Sequence, residues 1–247
     1  MKNYFITATD TDAGKTFVAC ALTQAFVNLN KKVAVYKPIS AGCQQVNGLL
    51  INNDAKLLSE FANCDQNIRE INPIAFKEPI APHIAAARVN RELCLNEIEQ
   101  GFDNVLQLKA DINLTEGAGG WRLPLNTFSV KSLSIKARVT KPIFLSDFAV
   151  NTKQDIILVV NMKLGCLNHA LLTYQTIIAD GLNCIGWVAN SASKNLMSNL
   201  DDNIESLEQL LPIPKLAQLN YYSDTQTSVH SKICTAAHTF DLTPLLA

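Results

Sequence analysis

Residues 7–17 read TATDTDAGKTF, and the interpretation of the whole chain depends on this stretch. Its ending matches a phosphate-binding loop of the form G-x-x-x-x-G-K-[ST], but that form needs glycine at position 9, where Thr9 stands. The apolar run YFITA precedes the loop, and an amphipathic helical pattern follows from about Lys15. A phosphate-binding loop requires a strand before it and a helix after it, so the stretch predicts a nucleotide site with an unusual entrance.

Short apolar runs alternate with helical patterns along the chain. The runs interpreted as buried strands are residues 4–8, 33–37, 112–116, 142–146, 156–160 and 184–190, and helical patterns lie at 18–29 and about 53–62, 92–109, 167–180 and 197–211. Continuous apolar strands that alternate with helices predict an α/β fold, with a mostly parallel sheet covered by helices on both faces. We expect a single P-loop NTPase-like domain over residues 1–247, with a poorly patterned tail from about residue 220.

Composition argues against several classes of protein. The net charge of −1 gives no electrostatic footprint for nucleic acid or an anionic membrane, so neither is expected as a partner. No apolar run approaches the roughly 18 residues of a membrane span, and the first residues lack the pattern of a signal peptide. Seven scattered cysteines without a C-x-x-C pair, and four histidines without ligand spacing, argue against a disulfide framework or a zinc site. These features predict a cytoplasmic protein.

Phosphate and metal ligands are expected beyond the carboxyl ends of the strands, where ligands bind in such folds. Backbone N–H groups of residues 12–17 would cradle phosphate, Lys15 would neutralise its charge, and the Thr16 hydroxyl would ligate Mg²⁺. Glu116 ends a strand before the turn GAGGW, which is the position of a Walker B carboxylate. Asp54 starts a helix, where it either caps the helix or supplies a further oxygen. Thr16, Asp54 and Glu116 are therefore predicted to bind one Mg²⁺.

Lys37 follows the second strand, so its ammonium group is expected at the same edge as the phosphate loop. The alternative is a surface lysine whose stem covers apolar neighbours. The loop after it supplies one hydroxyl group, that of Ser40.

Taken together, these segments resemble the dethiobiotin synthetase family over at least residues 4–190. The matching blocks are TDTDAGKT, YKPISAG, NNDA, EPIAPHIAA (78–86), EGAGGW (116–121), KLGCLNHALLT (163–173) and GWVAN (186–190). The family's loop has five residues between its two glycines, so its first glycine belongs at position 8, where this chain has Ala8. We expect Ala8 to end the strand with a negative φ and nucleotide still to bind.

The resemblance implies ATP-dependent carboxylation and ring closure of 7,8-diaminopelargonic acid with CO₂, giving dethiobiotin, ADP and phosphate in biotin biosynthesis. The reaction would need Mg²⁺ and would pass through a carbamate and a carbamic-phosphoric anhydride. Lys37 aligns with the family's catalytic lysine, which would hold the carbamate and the transferring phosphoryl group. Lys15 would stabilise the γ-phosphoryl group and the charge that develops on ADP.

The same resemblance implies two sets of contacts. Nucleotide contacts fall on the phosphate loop, the glycine-rich turn, a strand end that would read adenine, and a later loop: Asp12, Ala13, Gly14, Lys15, Thr16, Phe17, Asp54, Glu116, Gly117, Ala118, Gly119, Asn190, Asn220, Tyr221 and Tyr222. Contacts with the diamino acid fall on two loops of one subunit and on a segment that the neighbouring subunit of a homodimer would supply: Thr11, Ser40, Ala41, Gly165, Cys166, Leu167 and Asn168.

Two of these assignments depart from the family pattern. The family's substrate hydroxyl sits at position 41, which is Ala41 here, so either Ser40 turns toward the substrate or a backbone amide replaces the hydroxyl. A proline that is usual in the later loop is Asn220 here.

Another class of protein with a similar loop is the P-loop ATPase switch, which controls partner binding by nucleotide-dependent dimerisation. Such proteins carry an extra lysine at the start of the loop, and residues 8–10 contain none. An amidotransferase-type ligase would need a glutaminase domain, for which 247 residues leave little room.

Overall fold

The computed structural model describes residues 1–126, 142–195 and 197–246. Its strands, in chain order, are β1 (Lys2–Ala8), β2 (Val33–Tyr36), β3 (Ile39–Ser40), β4 (Gln44–Val46), β5 (Leu49–Ile51), β6 (Ile74–Ala75), β7 (Ile112–Glu116), β8 (Asp155–Asn161), β9 (Cys184–Asn190) and β10 (Lys215–Leu219). Its helices are α1 (Lys15–Asn28), α2 (Asn53–Phe61), α3 (Ile68–Ile71), α4 (Pro82–Arg88), α5 (Leu95–Gln107), α6 (Leu145–Asn151), α7 (Cys166–Ala179), α8 (Leu200–Leu210), α9 (Val229–Ala237) and α10 (Thr243–Leu246).

Six strands form one parallel sheet in the order β10-β9-β8-β1-β7-β2, which confirms the predicted fold class. The strand that precedes the phosphate loop lies inside this sheet, between β8 and β7. Its residue Ile6 is in register with Glu116 of β7, and Ala8 is in register with Val159 of β8. Because the strands are parallel, the segments that follow them meet at one edge of the sheet.

Helices cover both faces of the sheet, as predicted. Along β1 the side chains alternate, so that Phe5 packs into one hydrophobic core while Tyr4 and Ile6 pack into the other. The first core includes apolar residues of α5, α6, α7 and α8, and the second includes apolar residues of α1, α2 and α9. With both faces buried, the strands read as continuous apolar runs rather than alternating ones.

The strand predicted at residues 142–146 is wrong. Only an isolated bridge joins Phe144 to Pro124, and α6 begins at Leu145. The carboxylate of Asp147 accepts a hydrogen bond from the Phe144 backbone N–H at 2.9 Å and so caps the first turn of this helix. A run of four apolar residues and a serine carries no period that separates a strand from a buried helix.

The C-terminal part of the chain has more structure than its pattern suggested. The edge strand β10 was not predicted, and α9 follows with the Ser228 hydroxyl as its N-terminal cap. Within residues 1–126, 142–195 and 197–246, no helix combines the length and the apolar character needed to cross a membrane.

Candidate active site

The loop between β1 and α1 turns at Asp12 and Gly14, whose φ angles are 60° and 78°. Ala8 is fully buried as the last residue of β1 and is not among the residues with positive φ, which confirms the prediction for its backbone. Alanine therefore replaces the family's glycine without strain, because the left-handed conformations lie further along the loop.

Asn190, at the end of β9, holds this loop in place. Its side-chain amide nitrogen donates a hydrogen bond to the backbone carbonyl of Ala13 at 2.7 Å. The same nitrogen would lie 2.2 Å from a Cβ atom at position 14, so only glycine fits there. Asn190 was predicted to read adenine. That role stays a prediction, and its amide nitrogen already has a partner in the loop.

The Glu116 carboxylate joins the phosphate loop to the end of β2. Its Oε1 atom accepts hydrogen bonds from the Thr16 hydroxyl and from the Lys37 ammonium group, each at 2.7 Å. Lys37 Nζ also lies 3.6 Å from Oδ2 of Asp54. These contacts bring together the three predicted metal ligands and the predicted catalytic lysine. The helix cap is Asn52 rather than Asp54: its side-chain oxygen accepts the backbone N–H groups of residues 54 and 55.

Charge and burial act against each other in this cluster. Lys37 and Glu116 are only 4% and 1% exposed. Burial by itself would lower the pKa of Lys37, but Glu116 and Asp54 outweigh it and raise that pKa, so the group stays an ammonium at neutral pH. The pKa of Lys15 is lowered, first by burial and then by the nearby Lys37, against the opposing pull of Glu116.

The oxygen atoms of the cluster fit a hard cation. Oε2 of Glu116 is buried and has no hydrogen-bond partner, and the carboxylate of Asp54 is about half exposed (48%). Carboxylate and hydroxyl oxygens are the ligands that Mg²⁺ prefers, together with water and phosphate. Among the described residues no group of three or more His, Cys, Asp and Glu side chains could hold a metal.

A cleft of about 1020 Å³ opens at this edge of the sheet. The predicted residues that line it are Thr11, Asp12, Gly14, Lys15, Thr16, Phe17, Lys37, Ser40, Ala41, Asp54, Glu116, Gly117, Ala118, Gly119, Asn190, Asn220, Tyr221 and Tyr222. The Ala13 side chain is buried within the loop, and its backbone carbonyl accepts the hydrogen bond from Asn190. Gly165, Cys166, Leu167 and Asn168, at the start of α7, are not among the lining residues, and the Cys166 side chain is buried.

Ser40 borders the cleft, but its side chain is buried. Its hydroxyl donates a hydrogen bond to the side-chain oxygen of Asn72 at 2.6 Å and lies 3.1 Å from the Cys43 sulfur. Of the two possibilities at this loop, the geometry favours a backbone group over the Ser40 hydroxyl as the substrate contact.

Some lining residues were not predicted from the sequence. Lys232 is one of them: it donates a hydrogen bond at 3.1 Å to the carbonyl of Tyr222, a predicted residue whose ring centre lies 5.6 Å from that of Phe17. Lys232 and Val229 belong to the tail that lacked a clear pattern. An apolar wall, Pro79–Pro82, lies within the block EPIAPHIAA, so that block was the available signal for it.

Comparisons with known proteins agree with one another. The family model described as "AAA domain" matches residues 2–228. The chain is 46% identical to the ATP-dependent dethiobiotin synthetase BioD of Alteromonas mediterranea, over 90% of this chain and 93% of that protein. It is 40% identical to the BioD protein of Cellvibrio japonicus, over 99% and 98% of the two chains. The MinD cell division protein of Aquifex aeolicus has a similar fold, with a TM-score of 0.50 and 11% identity over 96% of each chain.

Proposed function

The chain belongs to the ATP-dependent dethiobiotin synthetase family, and we propose that it forms dethiobiotin from 7,8-diaminopelargonic acid, CO₂ and ATP. It is an ATP-dependent ligase of biotin biosynthesis. The observation that carries the proposed chemistry is the contact of Lys37 with Glu116, because it sets a buried cation beside the loop that would hold the transferring phosphate. At 11% identity, the likeness to MinD concerns the fold alone, so it does not favour a switch ATPase.

The first step requires a site for a carbamate. One amine of the diamino acid adds to CO₂, and the resulting carbamate carries a negative charge that a buried ammonium group stabilises strongly. Lys37 is the candidate for that group, since its raised pKa keeps it charged and its position at the end of β2 borders the cleft. Removing this charge should cost far more in turnover than in nucleotide binding.

The next two steps transfer a phosphoryl group and close the ring. A carbamate oxygen attacks the γ-phosphorus of ATP and ADP leaves; the second amine then attacks the carbamate carbon and phosphate leaves. Lys15 and the backbone N–H groups of residues 12–17 would hold the phosphates, and Lys37 would bridge the carbamate and the γ-phosphoryl group. The adenine end of ATP would lie toward Asn190 and the segment Asn220–Tyr222, which also line the cleft.

We propose that Thr16, Asp54 and Glu116 bind Mg²⁺ together with the phosphates of ATP. The unpartnered Oε2 atom of Glu116 supports this proposal, since a buried carboxylate oxygen without a partner is costly. When bound, Mg²⁺ neutralises charge on the β- and γ-phosphates. The Thr16 hydroxyl would turn its lone pair to the ion and give up its hydrogen bond to Glu116.

The substrate carboxylate would be bound by residues 165–168 of a second copy of the chain. Two features support this proposal: these residues are absent from the lining of their own cleft, and apolar side chains on and beside α7 are exposed. Leu164 is 92% exposed and Leu172 is 54% exposed, which is typical of a surface that another protein covers. The backbone N–H groups at the start of α7 would provide the positive end of the helix dipole.

Two further parts of the proposal concern the whole chain: its location in the cytoplasm and its organisation as one domain. All seven cysteines are free thiols, which suits the reducing environment of the cytoplasm. The prediction of one domain over residues 1–247 stays a prediction.

Labelled bicarbonate tests the overall reaction. Enzyme, Mg-ATP, 7,8-diaminopelargonic acid and ¹³C-bicarbonate should give dethiobiotin that is heavier by one mass unit, and phosphate release should require all the substrates. Phosphate release that does not depend on the diamino acid and bicarbonate, with no labelled product, would overturn the proposal and favour the switch ATPase.

Mixing two inactive variants tests the shared site. Lys37→Ala disables the cleft, and Asn168→Asp sets a negative charge against the substrate carboxylate from the other subunit. A mixed dimer holds one intact site, so an equal mixture should regain about a quarter of the wild-type activity. No recovery on mixing, with both variants folded and dimeric, would contradict a site built from two subunits.

A further inference from the structure

Asp180 joins the C-terminal end of α7 to the loop that follows Glu116. Its two carboxylate oxygens each accept one hydrogen bond, from the Trp121 indole N–H at 2.8 Å and from the Arg122 guanidinium group at 2.6 Å. Arg122 also donates to the Ser146 hydroxyl at 3.1 Å and lies 5.3 Å above the Phe144 ring. One carboxylate thus fixes two neighbouring side chains of a glycine-rich loop.

That loop borders the site described above. Gly117 and Gly119 line the cleft, and Gly120 packs on the backbone of the phosphate loop, where a Cβ atom would lie 3.5 Å from the Ala8 carbonyl oxygen. Trp121 is 5% exposed and meets the Phe5 ring edge to face, with 6.0 Å between ring centres. Within residues 117–120 the one side chain is the methyl group of Ala118, and the Gly117 backbone N–H donates to the Ile6 carbonyl at 2.9 Å. Trp121 and its contacts then fix the C-terminal end of this segment.

The other end of α7 is tied to the phosphate loop. Lys163, three residues before the helix, forms an ion pair with Asp10, and Asn161 donates to the same carboxylate at 3.4 Å. The phosphate loop is therefore held by the segment that precedes α7, and the glycine-rich loop by the residue that follows the end of α7.

We infer that Asp180 is a positioning residue for nucleotide binding: through Trp121 and Arg122 it sets the loop Gly117–Arg122 against the phosphate loop, without touching the ligand. This inference rests on the proposed function for the identity of the nucleotide. Asp180 acts on the ground-state geometry of the phosphate site, so its loss weakens nucleotide binding more than it slows the chemical steps.

The test compares Asp180→Asn with a matched control in the full-length protein. The amide keeps the size of the carboxylate but turns one acceptor into a donor, which leaves Trp121 or Arg122 without a partner. Glu97→Gln is the control, since Glu97 pairs with Arg91 and neither residue lines the cleft; the Glu97 side chain is 42% exposed, against 17% for Asp180. Arg122→Met removes one of the two hydrogen bonds to Asp180, together with the Arg122 contacts to Ser146 and the Phe144 ring. The Arg122 side chain is 40% exposed, so the variant should keep the fold.

The probe is the non-hydrolysable nucleotide Mg-AMP-PNP, measured by calorimetry without the other substrates. Asp180→Asn should raise its dissociation constant about tenfold, Arg122→Met about threefold, and Glu97→Gln not at all. In turnover, the KM for ATP should rise with Asp180→Asn while the KM for the diamino acid and the kcat stay close to wild type. Trp121 emission should move to longer wavelength, seen against the fully buried Trp187.

An unchanged dissociation constant for Mg-AMP-PNP in folded Asp180→Asn or Arg122→Met would overturn the inference. An equal rise of the dissociation constant in Glu97→Gln would also overturn the inference, because the weaker binding would then follow from a general loss of stability. Nucleotide binding is read without turnover, so these results remain separate from a failure of the proposed reaction, in which nucleotide would bind but no dethiobiotin would form.

Discussion

The ammonium nitrogen of Lys37 lies 2.7 Å from Oε1 of Glu116, and both side chains are almost fully buried. The pair spans two adjacent strands of the sheet, β2 and β7, at the edge where the phosphate loop also ends. A buried lysine keeps its charge only where a carboxylate balances the cost of burial, and Glu116 does so here. The result is a cation that is fixed in place before any substrate binds, which is the arrangement that stabilises developing negative charge best.

Glu116→Gln tests two proposed roles of this carboxylate: balancing the charge of Lys37 and binding Mg²⁺. Without the negative charge, burial would lower the pKa of Lys37, so we expect kcat to fall at least about 100-fold and the free energy of unfolding by about 3 kcal/mol. The Mg²⁺ concentration for half-maximal activity should rise. Asp54→Asn is the comparison, since Asp54 is half exposed: it should raise the Mg²⁺ requirement but change stability by less than about 1 kcal/mol. Equal stability losses in the two variants would contradict this division.

Gly14→Ala should abolish tight nucleotide binding through its clash with Asn190. The added Cβ would meet the Asn190 amide at 2.2 Å, and the positive φ costs a further 1–2 kcal/mol or so. We expect the Mg-AMP-PNP dissociation constant to rise about 100-fold or more. In the double variant with Asn190→Ala the clash disappears, so the two effects should not add. Calorimetry over the four-member cycle checks this, and strictly additive effects would show that Asn190 does not constrain the loop.

Ala8→Gly should leave the nucleotide site unchanged. Ala8 ends β1 in ordinary strand geometry, so glycine would add backbone freedom in the unfolded chain and lower the free energy of unfolding by about 0.5–1 kcal/mol. Denaturant unfolding and Mg-AMP-PNP titration measure the two quantities. A tenfold gain in affinity would mean that alanine impairs the loop after all.

Much of the sheet could be predicted because its strands are short apolar runs that precede polar or glycine-rich segments. That pattern located β1, β2, β7, β8 and β9, and with them the edge where Lys37 and Glu116 meet. The pattern failed at residues 142–146, where four apolar residues and a serine carry no helical or strand period and a hydrogen bond from the Phe144 N–H to the Asp147 side chain caps a helix. It also failed to separate Asn52 from Asp54, since both residue types cap helices well.

Other parts of the site could not be predicted because they depend on contacts between distant residues. Asp180 and Trp121 lie 59 positions apart, and nothing in either local sequence indicates that they pair. Lys232 reaches the cleft from α9, which was not predicted from the sequence. The orientation of Ser40 depends on its hydrogen bond to Asn72, which is 32 positions away in the sequence.

Lys163→Met should change how stability depends on pH. Burial by itself raises the pKa of Asp10, but hydrogen bonds from Lys163 and Thr9 and the charge of Lys163 outweigh it, so the pKa lies below its ordinary value. A carboxyl group lowered in this way stabilises the fold above its unfolded pKa, and the contribution is lost as the pH falls through the folded value. The variant should therefore melt at a lower temperature near neutral pH and converge with wild type as the pH falls through the folded pKa of Asp10. The exposed Lys77→Met is the control, and a difference that persists unchanged at low pH would contradict the assignment.

Lys37→Ala tests the central claim most directly, with nucleotide binding and product formation measured on the same protein. The account predicts that Mg-AMP-PNP still binds within about threefold of wild type, while dethiobiotin formation in a single turnover falls at least about 1000-fold. Glu116 will have lost its cation, so the thermal midpoint is recorded alongside to show that the variant is folded. A folded Lys37→Ala protein that forms dethiobiotin at close to the wild-type rate would contradict the account, because the buried ammonium group would then have no part in the chemistry.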